Sequence, residues 1–98
     1  MHLDDAHRAE ALRILRDYLP PGTQILAFGS RVHGCNLKPF SDLDLCLKAA
    51  GPLPPDLLSK LNTAFEDSAL PFKVDLADWH MMTPEFRNRI AADLTPFA

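Results

Sequence analysis

The stretch FGSRVHGCNLKPFSDLDLCL, residues 28–47, decides the fold. Its end alternates as a strand does: neighbouring side chains of an extended chain point to opposite faces, so Asp42 and Asp44 share one face while Leu43, Leu45 and Leu47 share the other. A second run, FKVDL at residues 72–76, repeats the pattern, with Lys73 and Asp75 opposite Phe72, Val74 and Leu76. Side by side in one sheet, the two runs would join their apolar faces in a core and bring the three acids together on the other side. A polar, solvated sheet face is the plain alternative. Acids are depleted from strands, however, and a pair at i and i+2 with no cation between them carries an electrostatic cost that a plain face has no reason to keep. Converging acids repel one another unless a cation lies among them.

Such a set suits Mg²⁺, a small hard ion that takes oxygen ligands and is usually held by one or two carboxylates plus substrate phosphates. Two such ions about 3.5–4 Å apart can activate an attacking oxygen and stabilise a leaving one. Asp42 and Asp44 are expected to bridge both ions. Asp75 is expected to complete the site of the ion that activates the nucleophile, and to serve as general base. Upstream, Ala27-Phe28-Gly29-Ser30 follows the apolar Ile25-Leu26, so a strand should end in a glycine turn. Glycine lets backbone N–H groups approach a phosphate, Ser30 adds a hydroxyl donor, and a helix begun there would favour an anion at its N-terminus. Arg31 and Lys38 lie between turn and acids. For Arg31 a phosphate contact and a solvated loop position weigh evenly, whereas Lys38 is expected in solvent. Lys73 shares a face with Asp75; holding that carboxylate ionised and touching phosphate are the alternatives to reaching solvent, which is the expectation. Turn, paired acids and third acid together predict a metal-dependent nucleotidyl transfer site; a Gly-Ser pair by itself would predict nothing.

Residues 28–47 closely resemble the Gly-Ser, spacer, Asp-x-Asp signature of the DNA polymerase β-like nucleotidyltransferase superfamily. The Ser-Asp-Leu-Asp-Leu wording, the short chain and the later LPFKVDLADW resemble its minimal nucleotidyltransferase branch, which includes MntA-type antitoxins. The likeness runs from the leading helix to about Arg89. It implies that Gly29 and Ser30 hold nucleotide phosphates, that Asp42 and Asp44 bind the metals and that Asp75 is the third acid. It also implies ATP as substrate and a helical HEPN-type (HepT-like) partner whose tyrosine receives AMP and whose RNase activity is thereby silenced. There is one departure: the spacer from Arg31 to Ser41 is one residue longer than the family pattern, and the extra residue is expected in the loop from Cys35 to Phe40.

Composition narrows the function classes. A chain of 98 residues, 47% hydrophobic, makes one domain with one core, near the small end of self-sufficiency, so burial in a complex would help it. No apolar run approaches the roughly 20 residues of a membrane span, and MHLDDAHRAE is too polar for a signal peptide, so a cytoplasmic protein is expected. Cys35 and Cys46 make neither a disulfide framework nor a zinc site; Cys46, on the strand face of the acids, is expected to be a small semi-buried residue. Net charge is −3 and no lysine or arginine cluster is visible, a poor match to a groove that tracks nucleic-acid phosphates. The nucleotide is then a free triphosphate and the acceptor a protein or small molecule.

Helices and strands alternate. Leu3 to Leu19 predicts a helix stopped by Pro20-Pro21-Gly22, Thr23 to Phe28 a strand, Asp42 to Lys48 the next. Pro54-Pro55-Asp56 opens a helix to about Asp67, Phe72 to Ala77 is the third strand, and Thr83-Pro84-Glu85 starts a last helix through about Ala92. The expected architecture is α+β, a small mixed sheet with helices packed on one face and the acids on the other. Trp79, just past the third strand, is expected in the core or a partner interface rather than on a base. The leading functional expectation is transfer of a nucleoside monophosphate to a hydroxyl. A non-catalytic subunit that binds nucleotide or partner and neutralises the partner by occlusion is the alternative reading.

Overall fold

The computed structural model describes every residue except 35, 36 and 39. Asp4 accepts the Ala6 N–H at 2.8 Å and starts α1 (Asp5–Tyr18), which closes at Leu19 ahead of Pro20. Then come β1 (Gln24–Phe28), the single turn α2 (Ser30–His33), β2 (Leu43–Lys48), α3 (Pro55–Glu66) and β3 (Val74–Asp78). A 3-10 turn (Trp79–Met81), α4 (Pro84–Ile90) and the short β4 (Thr95–Pro96) complete the chain. Thr83 caps α4 by accepting the Phe86 N–H at 3.2 Å, as its sequence position predicts.

The strands form one mixed sheet in the order β3-β2-β1-β4, with β2 and β3 parallel and β1 antiparallel to both β2 and β4. Parallel pairing of β2 with β3 needs a crossover connection, which α3 supplies. Leu43, Leu45 and Leu47 are all fully buried on one sheet face, where they meet Ala11, Ile14 and Leu15 of α1, Leu61 and Phe65 of α3, and Phe97. The expected α+β architecture with helices on the leucine face therefore holds for α1 and α3.

The opposite face carries something the sequence did not announce. Ile90 and Phe86 of α4, with Trp79, Met82 and Leu94, pack on Phe28 and Cys46, and Phe86 meets Phe28 edge to face at 6.0 Å. α4 has one apolar stripe and no room on the leucine face, which α1 and α3 already cover, so it closes part of the acid face. β4 was also not foreseen: it is a two-residue strand containing Pro96, and it pairs because Phe97 is drawn wholly into the core while its N–H donates to Ile25 C=O at 2.8 Å. Cys46 is fully buried, deeper than expected, and burial followed by Asp78 pushes its thiol pKa up. Among the described residues no helix is long and apolar enough to cross a membrane.

Leu61 is the α3 side chain set deepest in the core. Leu61→Ala is expected to cost about 2–5 kcal/mol in urea unfolding; a loss below about 1 kcal/mol would show that α3 does not carry the crossover's packing.

Candidate active site

Two strand registers meet at Asp44. In the antiparallel pair with β1 it stands opposite Phe28, and in the parallel pair with β3 it stands opposite Asp75. β1 therefore ends, and the chain turns, directly beside Asp44. Gly29 makes that turn at φ 81°, a conformation L side chains rarely adopt. A Cβ at Gly29 would collide with Asp44 Oδ2 and come within 3.2 Å of its Cγ. Glycine is thus required twice over, by backbone conformation and by the closeness of the carboxylate.

Ser30 opens α2. The Gly29 C=O accepts from the Val32 and His33 N–H groups at 3.0 and 3.2 Å, and Gly34, at φ 75°, ends the turn by donating to Ser30 C=O at 2.7 Å. The first N–H groups of a helical turn, here those of Ser30 and Arg31, have no partner within it and are directed outward. They lie next to the acid that the Gly29 turn abuts.

Arg31 is not a solvated loop cation. Its side chain turns inward: Nε donates to Ser41 C=O and Nη1 to His2 C=O, both at 2.9 Å, and the guanidinium lies 4.3 Å over the Phe72 ring. Only 7% exposed, it braces the residue before Asp42 against the run that leads into β3. Burial lowers its pKa and Asp42 works against that shift. Lys73 reaches solvent as expected, its side chain 73% exposed, and its Nζ also lies 3.2 Å from Asp75 Oδ1. The hydrogen bond to Asp75, then its charge, makes the lysine hold its proton more firmly. Lys38 is exposed, as expected, and its N–H donates to Ser41 Oγ at 2.7 Å in the turn before Asp42. The expected insertion between Cys35 and Phe40 falls partly on residues outside those described.

The acids do come together electrostatically. Partial burial, then the charge of Asp75, then that of Asp42, push the Asp44 carboxyl up to about 6. Among the described residues no group of three or more His, Cys, Asp or Glu side chains is placed so as to hold a metal ion by itself. The donor set is instead open, oxygen-only and short of positive charge at Asp44. This fits a hard divalent cation that takes its remaining ligands from phosphate and water, and it does not fit zinc.

Asp78, an acid that sequence reasoning passed over, is 6% exposed and lies on the leucine side of β3. Its carboxylate accepts the Leu53 N–H at 2.8 Å and the His80 N–H at 3.0 Å, so it fastens the end of β3 to the segment before α3. An acid two residues before a turn N–H is a capping signal, but nothing local showed that it would be buried. Trp79 packs in the second cluster with Phe28, Cys46 and Ile90, in line with its core reading.

No protein-family model matches the chain. It is 40% identical over 86 residues to the probable protein adenylyltransferase MntA of Haemophilus influenzae, a match covering 85% of this chain and 75% of the relative. Its fold matches a solved toxin–antitoxin with AMP-PNP at a TM-score of 0.75 and 25% identity, covering 93% of this chain and 72% of the other. It also matches, in fold alone, the solved complex of a tri-AMPylated Shewanella oneidensis HEPN toxin with MNT antitoxin, at a TM-score of 0.72 and 22% identity over 98% of this chain and 72% of the other. β2 begins at Leu43, so Asp42 stands just ahead of the strand that was expected to start with it, while Asp44 lies on it; the mixed sheet and the likeness to these relatives put the chain in the minimal nucleotidyltransferase class. Within that class the chain belongs to the MntA family.

Asp44 has a folded pKa near 6 against an ordinary 3.8. A raised pKa means the folded state binds the proton more tightly, so this group's contribution is fully present below about pH 4 and lost as pH rises through about 6. The full shift corresponds to about 3 kcal/mol, and solvent screening at a partly exposed carboxylate reduces the expected effect to about 1 kcal/mol. With chelator present, the thermal midpoint is expected to rise when pH drops from about 7 to about 5, and Asp44→Asn should flatten that dependence and raise the midpoint at pH 7. An unchanged slope in the variant would show that Asp44 is not the strained acid. Gly29→Ala, which meets both the positive φ and Asp44 Oδ2, is expected to lose at least about 1 kcal/mol in the same melts.

Proposed function

We propose that the chain, as a single minimal nucleotidyltransferase domain over residues 1–98, moves AMP from ATP to a hydroxyl of a HEPN-type (HepT-like) partner in the cytoplasm. It thereby acts as the antitoxin of a HEPN/MNT toxin–antitoxin pair. The observation that carries this reading is the placing of Asp44 between the Gly29 turn and Asp75 by two strand registers. The name of the Haemophilus influenzae relative, a protein adenylyltransferase, supports the reaction. The AMP-PNP in one solved toxin–antitoxin supports the nucleotide. A net charge of −3 supports a free nucleotide over a nucleic-acid chain as the partner in binding.

In this reading the Gly29 turn receives the triphosphate through the outward N–H groups at Ser30 and Arg31 and the Ser30 hydroxyl, while the Arg31 side chain keeps the turn in place. Asp42, Asp44 and Asp75 would hold Mg²⁺, two ions in the full site, which when bound neutralises the phosphates and acidifies the attacking hydroxyl. Asp75 accepts the proton as the acceptor oxygen bonds to the α-phosphorus. The bond from that phosphorus to its bridging oxygen breaks, and pyrophosphate leaves. The chain's contribution is mainly position and fixed charge, which is what phosphoryl transfer asks of a protein.

The deciding experiment is the intact mass of a co-purified partner after incubation with ATP and Mg²⁺. Wild type is expected to add mass in steps of one adenylyl group, whereas Asp44→Asn or added chelator should add none. A partner that stays unmodified yet is still neutralised would overturn the transfer reading in favour of occlusion.

A further inference from the structure

Asp44 is fixed by two strand registers, whereas Asp42 stands one residue ahead of β2 and neither register includes it. Asp42 is also exposed, so packing does not hold it either. What fixes it are the peptide groups on its two sides. On one side Leu43 N–H donates to Lys73 C=O at 2.9 Å. On the other, Ser41 C=O accepts from Arg31 Nε at 2.9 Å, and the Arg31 guanidinium lies 4.3 Å over the Phe72 ring. Both flanks of the acid are therefore tied to Phe72 and Lys73, the consecutive residues that lead to Asp75.

Arg31 can act as this tie because its own position is set from a third direction. Its Nη1 donates to His2 C=O at 2.9 Å and His2 N–H donates back to Arg31 C=O at 2.6 Å, so side chain and backbone of Arg31 grip the same residue. Gly34 makes room for it, since a Cβ there would lie 2.6 Å from His2 Nε2. The planar guanidinium serves Ser41 and His2 from its edge and Phe72 from its face at once, which the point charge of a lysine does not do. Burying a cation is costly. Arg31 is nevertheless kept at 7% exposure, at a place where an apolar side chain could fill the space but could not hold Ser41.

From these contacts we infer that Arg31 is a positioning residue for the metal: acting through Ser41, and itself held by His2, its side chain sets the Asp42 carboxylate where it can share a cation with the other acids. The inference rests on the metal-dependent reading above, and the guanidinium touches neither the metal nor the reacting atoms. Charge and position make opposite demands here. A cation beside Asp42 repels a metal ion, so by charge alone the loss of Arg31 would tighten metal binding. As the loss of a brace it loosens metal binding, because the Asp42 carboxylate is then no longer held in place.

Mn²⁺ titrated into the full chain without nucleotide, with free Mn²⁺ read from its electron spin resonance, separates the two. Arg31→Met is expected to weaken Mn²⁺ uptake about tenfold or more, and Arg31→Lys, which keeps the charge but not the fork, by a similar factor. Tighter uptake by Arg31→Met, wild-type uptake by either variant, or no uptake by wild type overturns the inference. Where thermal melts show that an Arg31 variant does not fold, removal of Met1 and His2 decides: it takes away the His2 carbonyl, from exposed positions and with Arg31 intact. Weaker Mn²⁺ uptake by that shortened chain supports the inference and unchanged uptake overturns it. In the transfer assay the Mg²⁺ giving half-maximal modification of the partner is expected to rise by the same factor in Arg31→Lys, with the rate restored at high Mg²⁺; a rate that high Mg²⁺ leaves low overturns the inference. Should wild type itself leave the partner unmodified, the transfer reading fails, while Mn²⁺ uptake still decides the role of Arg31.

Discussion

Asp44 sits where two strand pairings of opposite sense cross, and the rest of the molecule is arranged around that carboxylate. Because side chains alternate along a strand, a slip of one residue in β2 would send Asp44 into the core and put leucine on the acid face. The buried leucines Leu43, Leu45 and Leu47 therefore hold the register of the site as well as the core. Core packing and chemistry are here one constraint: what keeps three leucines dry also keeps Asp44 opposite Asp75.

That placement carries an electrostatic cost. Asp44 is partly buried and faces two other acids, which is why its proton is held up to about pH 6. Phe28, Cys46 and Ile90 make an apolar floor farther along the same sheet face, and such a wall weakens solvent screening of the acids beside it. A cation taken up by the acids would offset the repulsion, so binding and local stability are linked. Strain of this kind at a site is commonly retained where the function depends on it.

The acid face is closed at one end and open at the other. Lys48 and Arg87 lie over the Trp79 ring at 4.8 and 4.6 Å, and Arg87 also donates to Trp79 C=O at 2.7 and 3.1 Å, locking the 3-10 turn and α4 onto the sheet. Asp78 fastens the neighbouring strand end from the other side. Toward Asp42 and Asp75 the face is left uncovered: Asp42 is exposed and the Asp75 side chain is 43% exposed. A small domain that buries one end of its active face and leaves the other accessible is built to complete its site with something that binds there.

The sequence by itself determined the alternation of the two acid-bearing runs, the glycine turn ahead of them, the stop of α1, the cap of α4 and the helices that flank the sheet. These are local matters, set by a two-residue strand period, a positive φ and a capping side chain within a few residues of its target. The tertiary structure alone decided how each remaining group is used. In sequence a phosphate contact and a solvated loop position weigh evenly for Arg31, but its guanidinium buries because carbonyls and a ring converge on it, and His2, Ser41 and Phe72 come from three distant parts of the chain. α4 crosses to the acid face because α1 and α3 already fill the other, and β4 exists because Phe97 is needed in the core. Each of these outcomes depends on space left by elements far away in the chain, which no local pattern encodes.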